Sequence, residues 1–149
     1  GDTRQLLHDQ TLFGMQFSPD NTKLAAGSRD HIVVWDLEKG SKETATIVGG
    51  AVWGVAFSPF SDVIAAGTDD GHLAFLNLAT FQWTRAIKAH CRAIKTVREH
   101  EDAVASLAVS RDGRLLISGG RFDHTIRFWR FASDGEVDAE WSRTNGDVY

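Results

Sequence analysis

The sequence predicts an all-β chain, a short array of about three four-stranded units, and three observations carry that prediction. An eleven-residue stretch occurs twice, 40 residues apart: FSPDNTKLAAG over 17–27 and FSPFSDVIAAG over 57–67. A looser third copy, VSRDGRLLISG, runs from Val109 to Gly119, 52 residues further on. A period near 40 marks an array of small repeated units, and such arrays usually bind rather than catalyse. In each copy short apolar runs alternate with turn residues, the pattern of strands joined by tight connections.

The elements follow in order within each copy. The first run is alternating and apolar: Phe13, Met15 and Phe17, then Val55 and Phe57, then Val104, Leu107 and Val109. A turn comes next, Pro19-Asp20-Asn21 in copy one and Arg111-Asp112-Gly113 in copy three. Proline presets φ, while Asp, Asn and Gly tolerate tight backbone, so a hairpin is expected there. A second run ends at glycine: LAAG at 24–27, IAAG at 64–67 and LISG at 116–119. An acidic turn leads to the third run, IVVW at 32–35, LAFL at 73–76 and TIRFW at 125–129. A fourth, weaker segment, TATIV at 44–48, lies between copies one and two. Thr3–Leu7 reads as an outer strand of a preceding unit, and Val137–Trp141 as the outer strand of the last.

These residues resemble the WD-repeat β-propeller family over nearly the whole chain. Trp35-Asp36 is the family's signature dipeptide, with Leu76-Asn77 and Trp129-Arg130 in the same place in the other copies. His8, Gly50 and His100 occupy the position of the family's Gly-His marker, and only copy two keeps a glycine before it, Gly49. The resemblance implies a partial propeller. Blade-like copies span about 9–48, 51–88 and 101–141, with an insertion at about 89–100. The step from the glycine to the signature residue is 8, 9 and 10 residues in the three copies. The turn between second and third strands should absorb that difference, since closure entropy varies slowly with loop length.

The resemblance also implies a buried polar network of His, Ser or Thr, Asp and Trp in each blade. Copy three has all four: His100, Ser118, Asp123 and Trp129. Copy one has His8, Asp30 and Trp35, with Ala26 in place of the hydroxyl. Copy two has only Asp70, expected to stay solvated at its turn, because Gly50, Ala66 and Leu76 replace the others. A satisfied buried network fixes strand register. The same trio repeats beside a Trp, so it does not read as a catalytic triad, which would occur once and need an oxyanion site.

Other chemistry is weak. His90-Cys91 lacks the spacing of a zinc site or an activated thiol. No glycine-rich phosphate loop is present. Pairs such as Asp69-Asp70 and Glu101-Asp102 read as solvated turn acids. The segment 84–101 holds an internal echo, Arg85-Ala86-Ile87-Lys88 and Arg92-Ala93-Ile94-Lys95. Two alternatives fit: an outer strand at 84–88 followed by an extended loop, or an amphipathic helix over 85–98 with Ile87, Cys91, Ile94 and Val97 on one face.

By resemblance, partner contacts would sit at a bulge in the first strand, Phe13, Trp53 and Ala105, and just before the turn Asp, Arg29, Asp69 and Phe122. Trp53 stands out, because a bulge at Trp53-Gly54 would turn the indole outward. Exposed Trp and Phe near Arg are common at the centre of binding surfaces.

The bulk numbers bound the rest. The chain has 149 residues, 42% apolar and 24% charged, with a net charge of -4. That composition is globular, and its acidity argues against a nucleic-acid partner. No apolar run is long enough for a membrane span, and no leader pattern opens the chain. One cysteine, Cys91, leaves no internal disulfide and fits an intracellular setting, cytoplasmic or nuclear. The expected function is a non-catalytic protein–protein interaction scaffold that binds a protein or peptide, without cofactor or metal. The alternative is a structural or assembly segment whose blades contact sister blades. Three blades cannot form a ring, so the chain is expected to be a piece of a larger propeller or to self-associate.

Overall fold

The computed structural model describes residues 3–47, 50–59, 62–88, 103–131 and 137–144. It holds twelve strands and, among the described residues, no helix. They form three four-stranded antiparallel sheets. The first is β1 (Met15–Phe17), β2 (Lys23–Gly27), β3 (His31–Asp36) and β4 (Lys42–Thr46). The second is β5 (Val52–Phe57), β6 (Val63–Thr68), β7 (His72–Asn77) and β8 (Gln82–Lys88). The third is β9 (Val104–Val109), β10 (Leu115–Gly120), β11 (Thr125–Phe131) and β12 (Val137–Thr144). Strands follow chain order within every sheet, so each is a meander closed by tight turns.

Those turns are built from the residues the repeat supplies. The Ser18 hydroxyl donates to Asp20 Oδ1 (2.6 Å) and accepts from the Lys23 N–H (2.9 Å). Ser110 does the same with Asp112 (2.6 Å) and the Leu115 N–H (2.9 Å). Asn21 and Gly113 take the left-handed conformation in these turns, with φ of 60° and 72°, which Asn and Gly tolerate. At the far end of β3, Asp36 Oδ1 accepts the N–H groups of Glu38 (3.1 Å) and Lys39 (2.9 Å). Asn77 replaces that aspartate in copy two and accepts from Ala79 (2.9 Å) and Thr80 (3.0 Å). An amide oxygen serves the turn as well as a carboxylate does.

Successive sheets pack face to face. One apolar cluster joins the first and second sheets through Ala25, Ile32, Val34, Val55, Ile64 and Leu76. Another joins the second and third through Ala56, Ala65, Phe75, Val104, Leu116 and Trp129. The middle sheet is covered on both faces, so β6 is buried at every residue, whereas β10 alternates buried and half-buried. Close approach requires glycine. A Cβ at Gly27 would lie 2.1 Å from the Val52 carbonyl oxygen, and one at Gly67 would lie 2.7 Å from Val104 Cγ1.

Three expectations are corrected. Thr3–Leu7 forms no strand. Its backbone is held by side chains instead, with Lys42 Nζ donating to the Leu7 carbonyl (3.2 Å), while Arg4 donates to the Leu37 carbonyl (2.7 Å). A strand needs a partner ladder, and this segment has none. Residues 85–88 belong to β8, so a helix does not begin at 85; residues 89–98 of the spacer lie outside the described residues. Asp70 is not left to solvent, since it accepts from the Thr68 hydroxyl and lies 3.0 Å from His72 Nδ1.

Candidate protein-binding rim

The first strands of the second and third sheets each carry one extra residue at the same place. In β5 the register jumps between Val52, paired with Thr68, and Gly54, paired with Gly67, leaving Trp53 unpaired. In β9 it jumps between Val104, paired with Gly120, and Ser106, paired with Gly119, leaving Ala105. Just before β1, the Gly27 N–H donates to the Gly14 carbonyl (3.0 Å) and the Phe13 N–H donates to the Gly27 carbonyl (2.9 Å). The bulge expected at Trp53-Gly54 is therefore present and recurs.

The bulge aims Trp53 along the rim and not into the core. The indole N–H donates to Asp69 Oδ1 (2.8 Å). The Phe13 ring lies 4.5 Å from the Trp53 ring, centroid to centroid, at 37°. The Arg121 guanidinium sits 5.4 Å from the Trp53 ring centre and 4.9 Å from that of Phe122. Both distances are within cation–π range. Phe13, Trp53, Asp69, Arg121 and Phe122 thus form one continuous patch drawn from all three sheets. Phe122 is 48% exposed and Trp53 half-buried. Among the described residues, no hydrogen bond or ion pair ties the exposed Arg29 to this patch, and Ala105 is exposed but offers only a methyl group.

Arg121 was not among the residues the sequence singled out. The Asp69 N–H donates to the Ala51 carbonyl (2.8 Å) and the Arg121 N–H donates to the Ala103 carbonyl (2.9 Å). These two residues are structural counterparts, each two beyond the repeat's glycine, Gly67 or Gly119. Counting back from the turn Asp lands on Phe122 instead, because copy three carries one extra residue in that loop. Counting forward from the glycine finds Arg121.

The polar networks lie beneath. Trp129 Nε1–H donates to the buried Ser118 hydroxyl (2.8 Å), and Asp123 accepts the Thr125 N–H (2.9 Å). His100 lies outside the described residues. In the first sheet His8 does not meet Asp30 directly. His31 stands between them, 2.6 Å from Asp30 Oδ1 through Nδ1 and 3.0 Å from His8 Nε2 through Nε2. His8 also packs edge-on against Trp35, with centroids 6.1 Å apart. His31 is the first residue of β3, and His72, the first residue of β7, lies beside Asp70 in the same way; a His recurring at the start of the third strand was the signal that could have found it.

The family described as "WD domain, G-beta repeat" matches residues 3–36, 41–75 and 91–130. The chain belongs to the WD-repeat family. It is 27% identical over 136 residues to the "Probable cytosolic iron-sulfur protein assembly protein 1" of Candida glabrata, covering 87% of this chain and 40% of that protein. It is 29% identical over 113 residues to the "Ribosome biogenesis protein WDR12 homolog" of Trichoplax adhaerens, covering 74% of this chain and 25% of that one. The fold matches the "Crystal structure of RRP9 WD40 repeats" with a TM-score of 0.73 at 19% identity, over 94% of this chain and 40% of that chain. The chain thus spans less than half the length of the relatives it matches. Its three sheets are three blades of a WD-repeat propeller. Among the described residues of these blades, no helix is long and apolar enough to cross a membrane.

Proposed function

We propose that this WD-repeat segment is a non-catalytic interaction scaffold whose protein or peptide partner docks on the rim patch of Phe13, Trp53, Asp69, Arg121 and Phe122. The observation that carries the proposal is the continuity of the patch: one aromatic and cationic surface assembled from three blades around the bulge at Trp53. Aromatic rings supply large contact area with few rotatable bonds, and Arg adds a planar set of donors, so both are enriched among the residues that dominate binding energetics. The blades beneath are rigid, so the patch is held ready. No cofactor or metal enters this reading. The chain's acidity favours a protein over a nucleic acid, and a cytoplasmic or nuclear setting agrees with its single cysteine and with the cytosolic and ribosome-biogenesis relatives.

The experiment is a pull-down with the chain as bait, followed by titration of the recovered partner. Trp53→Ala and Arg121→Ala should each weaken binding at least about tenfold, the cost typical of a central interface residue. The urea midpoint should stay close to the parent's. Unchanged affinity in both variants would sink the proposal.

A second reading is favoured by a separate observation. Gln16 accepts the Phe57 N–H of the second blade (2.8 Å), so alternation places Met15 and Phe17 on the opposite side of β1, where they are 58% and 56% exposed. On the far side of the third blade Ile126 is 46% exposed. These outer faces suit an assembly segment that packs on further blades or on a second copy of the chain.

A further inference from the structure

Within the rim patch, hydrogen-bond donors are left over on Arg121. The Trp53 indole N–H is already given to Asp69 Oδ1 (2.8 Å), and the rings of Phe13 and Phe122 have none to give. A guanidinium carries N–H donors in a planar fork and no acceptor. Among the described residues the exposed Arg121 side chain makes no hydrogen bond and has no carboxylate partner. Rings alone hold it, with centres 5.4 Å away in Trp53 and 4.9 Å away in Phe122.

That arrangement limits what can dock. Ring faces already taken by a cation of this chain are closed to a partner's cation, which would meet the guanidinium at close range. A wholly apolar partner would strip water from the guanidinium and return no acceptor, and an unpaired buried charge is costly. A carboxylate meets the need, because its two oxygens accept parallel N–H groups of the fork. The rings hold the fork in place beforehand, so less rotamer freedom is lost on binding. A phosphate, with nearly two negative charges, fits less well. Phosphate-reading surfaces gather several Arg, whereas here Asp69 stands at the edge of the same indole. The Phe13 ring, 4.5 Å from that of Trp53, offers apolar ground beside the charge.

Resting on the docking role proposed above, we propose that the rim selects an acidic peptide. An Asp or Glu carboxylate of the partner pairs with the Arg121 guanidinium, and a neighbouring apolar side chain lies on Phe13 and Trp53.

Selection from four pools of short random peptides tests this, the pools being alike except for a central Glu, Gln, phosphoserine or Lys. The parent chain should bind the Glu pool at least about tenfold better than the Gln or Lys pool, the worth of a charge-assisted pair. Arg121→Gln should erase that preference, and Arg121→Glu should turn it towards Lys. Both should fold, since the side chain is exposed and the bond to the Ala103 carbonyl comes from the backbone N–H. Should Arg121→Glu unfold, the parent's ranking of the pools and Arg121→Gln decide. Peptides that need Trp53, by comparison with Trp53→Ala, yet bind equally from the Glu and Gln pools would overturn the acidic choice and leave the docking rim standing. A first preference for Lys or phosphoserine would do the same. No Trp53-dependent binder from any pool would overturn both.

Discussion

Trp53 has its indole N–H committed to Asp69, while Phe13 and Arg121 lie against the ring. Its orientation is therefore fixed before any partner arrives, which lowers the entropic cost of binding. The turn carboxylates show the same economy of partners. The Ser18 hydroxyl, then the N–H and hydroxyl of Thr22, hold Asp20 down to about 2. Ser110 and the Arg114 N–H lower Asp112 in the same way. A carboxylate whose folded pKa is depressed adds stability above its unfolded value, and that stability is lost as pH falls through the folded value. The Asp20 contribution should thus persist at pH 4 and disappear near pH 2. A carboxyl-carbon NMR titration should place its midpoint near 2, and Ser18→Ala should move it upward; an unmoved midpoint would remove Ser18 as the cause.

At the scale of elements, Gly27 at the end of β2 and Gly67 next to the end of β6 decide how closely blades approach. Gly67 meets the Val104 side chain and carbonyl, both under 3.0 Å from where a Cβ would sit. The neighbour on one side is backbone, which cannot step aside without moving β9. Gly67→Ala should cost about 1–3 kcal/mol, the usual range for overpacking a tight contact. A urea titration would register this as a lower midpoint at unchanged slope, and an unchanged midpoint would mean the blades are free to shift. The strands themselves were legible in the sequence, because each apolar run, turn residue and glycine recurs. The N-terminal segment was not. Thr3–Leu7 was read as a strand from its place ahead of the first copy, yet a strand exists only where another offers its N–H and C=O groups.

At the scale of the whole molecule, three blades leave two outer faces. Residues 3–12 partly cover the first through Leu6, His8 and Leu12, and Met15 and Phe17 stay exposed beside them. On the third blade Ile126 pairs with Gly119 and Ile117 with Phe128, so these apolar side chains share the face turned away from the second blade, where Ile126 is 46% exposed. Exposed contiguous apolar surface of this kind marks an association site. Light scattering over about a hundredfold range of concentration should show the mass of the isolated chain rising, as mass action requires. Ile126→Lys should hold it at the monomer. A parent chain that stays monomeric throughout would mean these faces are tolerated in water.

The sequence by itself determined the repeat, the strand order within each blade, the turn chemistry and the WD-repeat family. Of the contact candidates it offered, Phe13, Trp53, Asp69 and Phe122 belong to the patch proposed for docking. These are properties of local spacing, and they recur copy by copy. Only the tertiary structure decided which of those residues meet. It stacked Phe13 on Trp53 across two blades, brought in Arg121 where an added loop residue had shifted the count, and left Arg29 apart. It also set His31 between His8 and Asp30. The physical reason is that these contacts depend on how the strands and blades pack: the differing turn lengths can be read from the repeat, but which side chains they bring together is decided only when the sheets assemble.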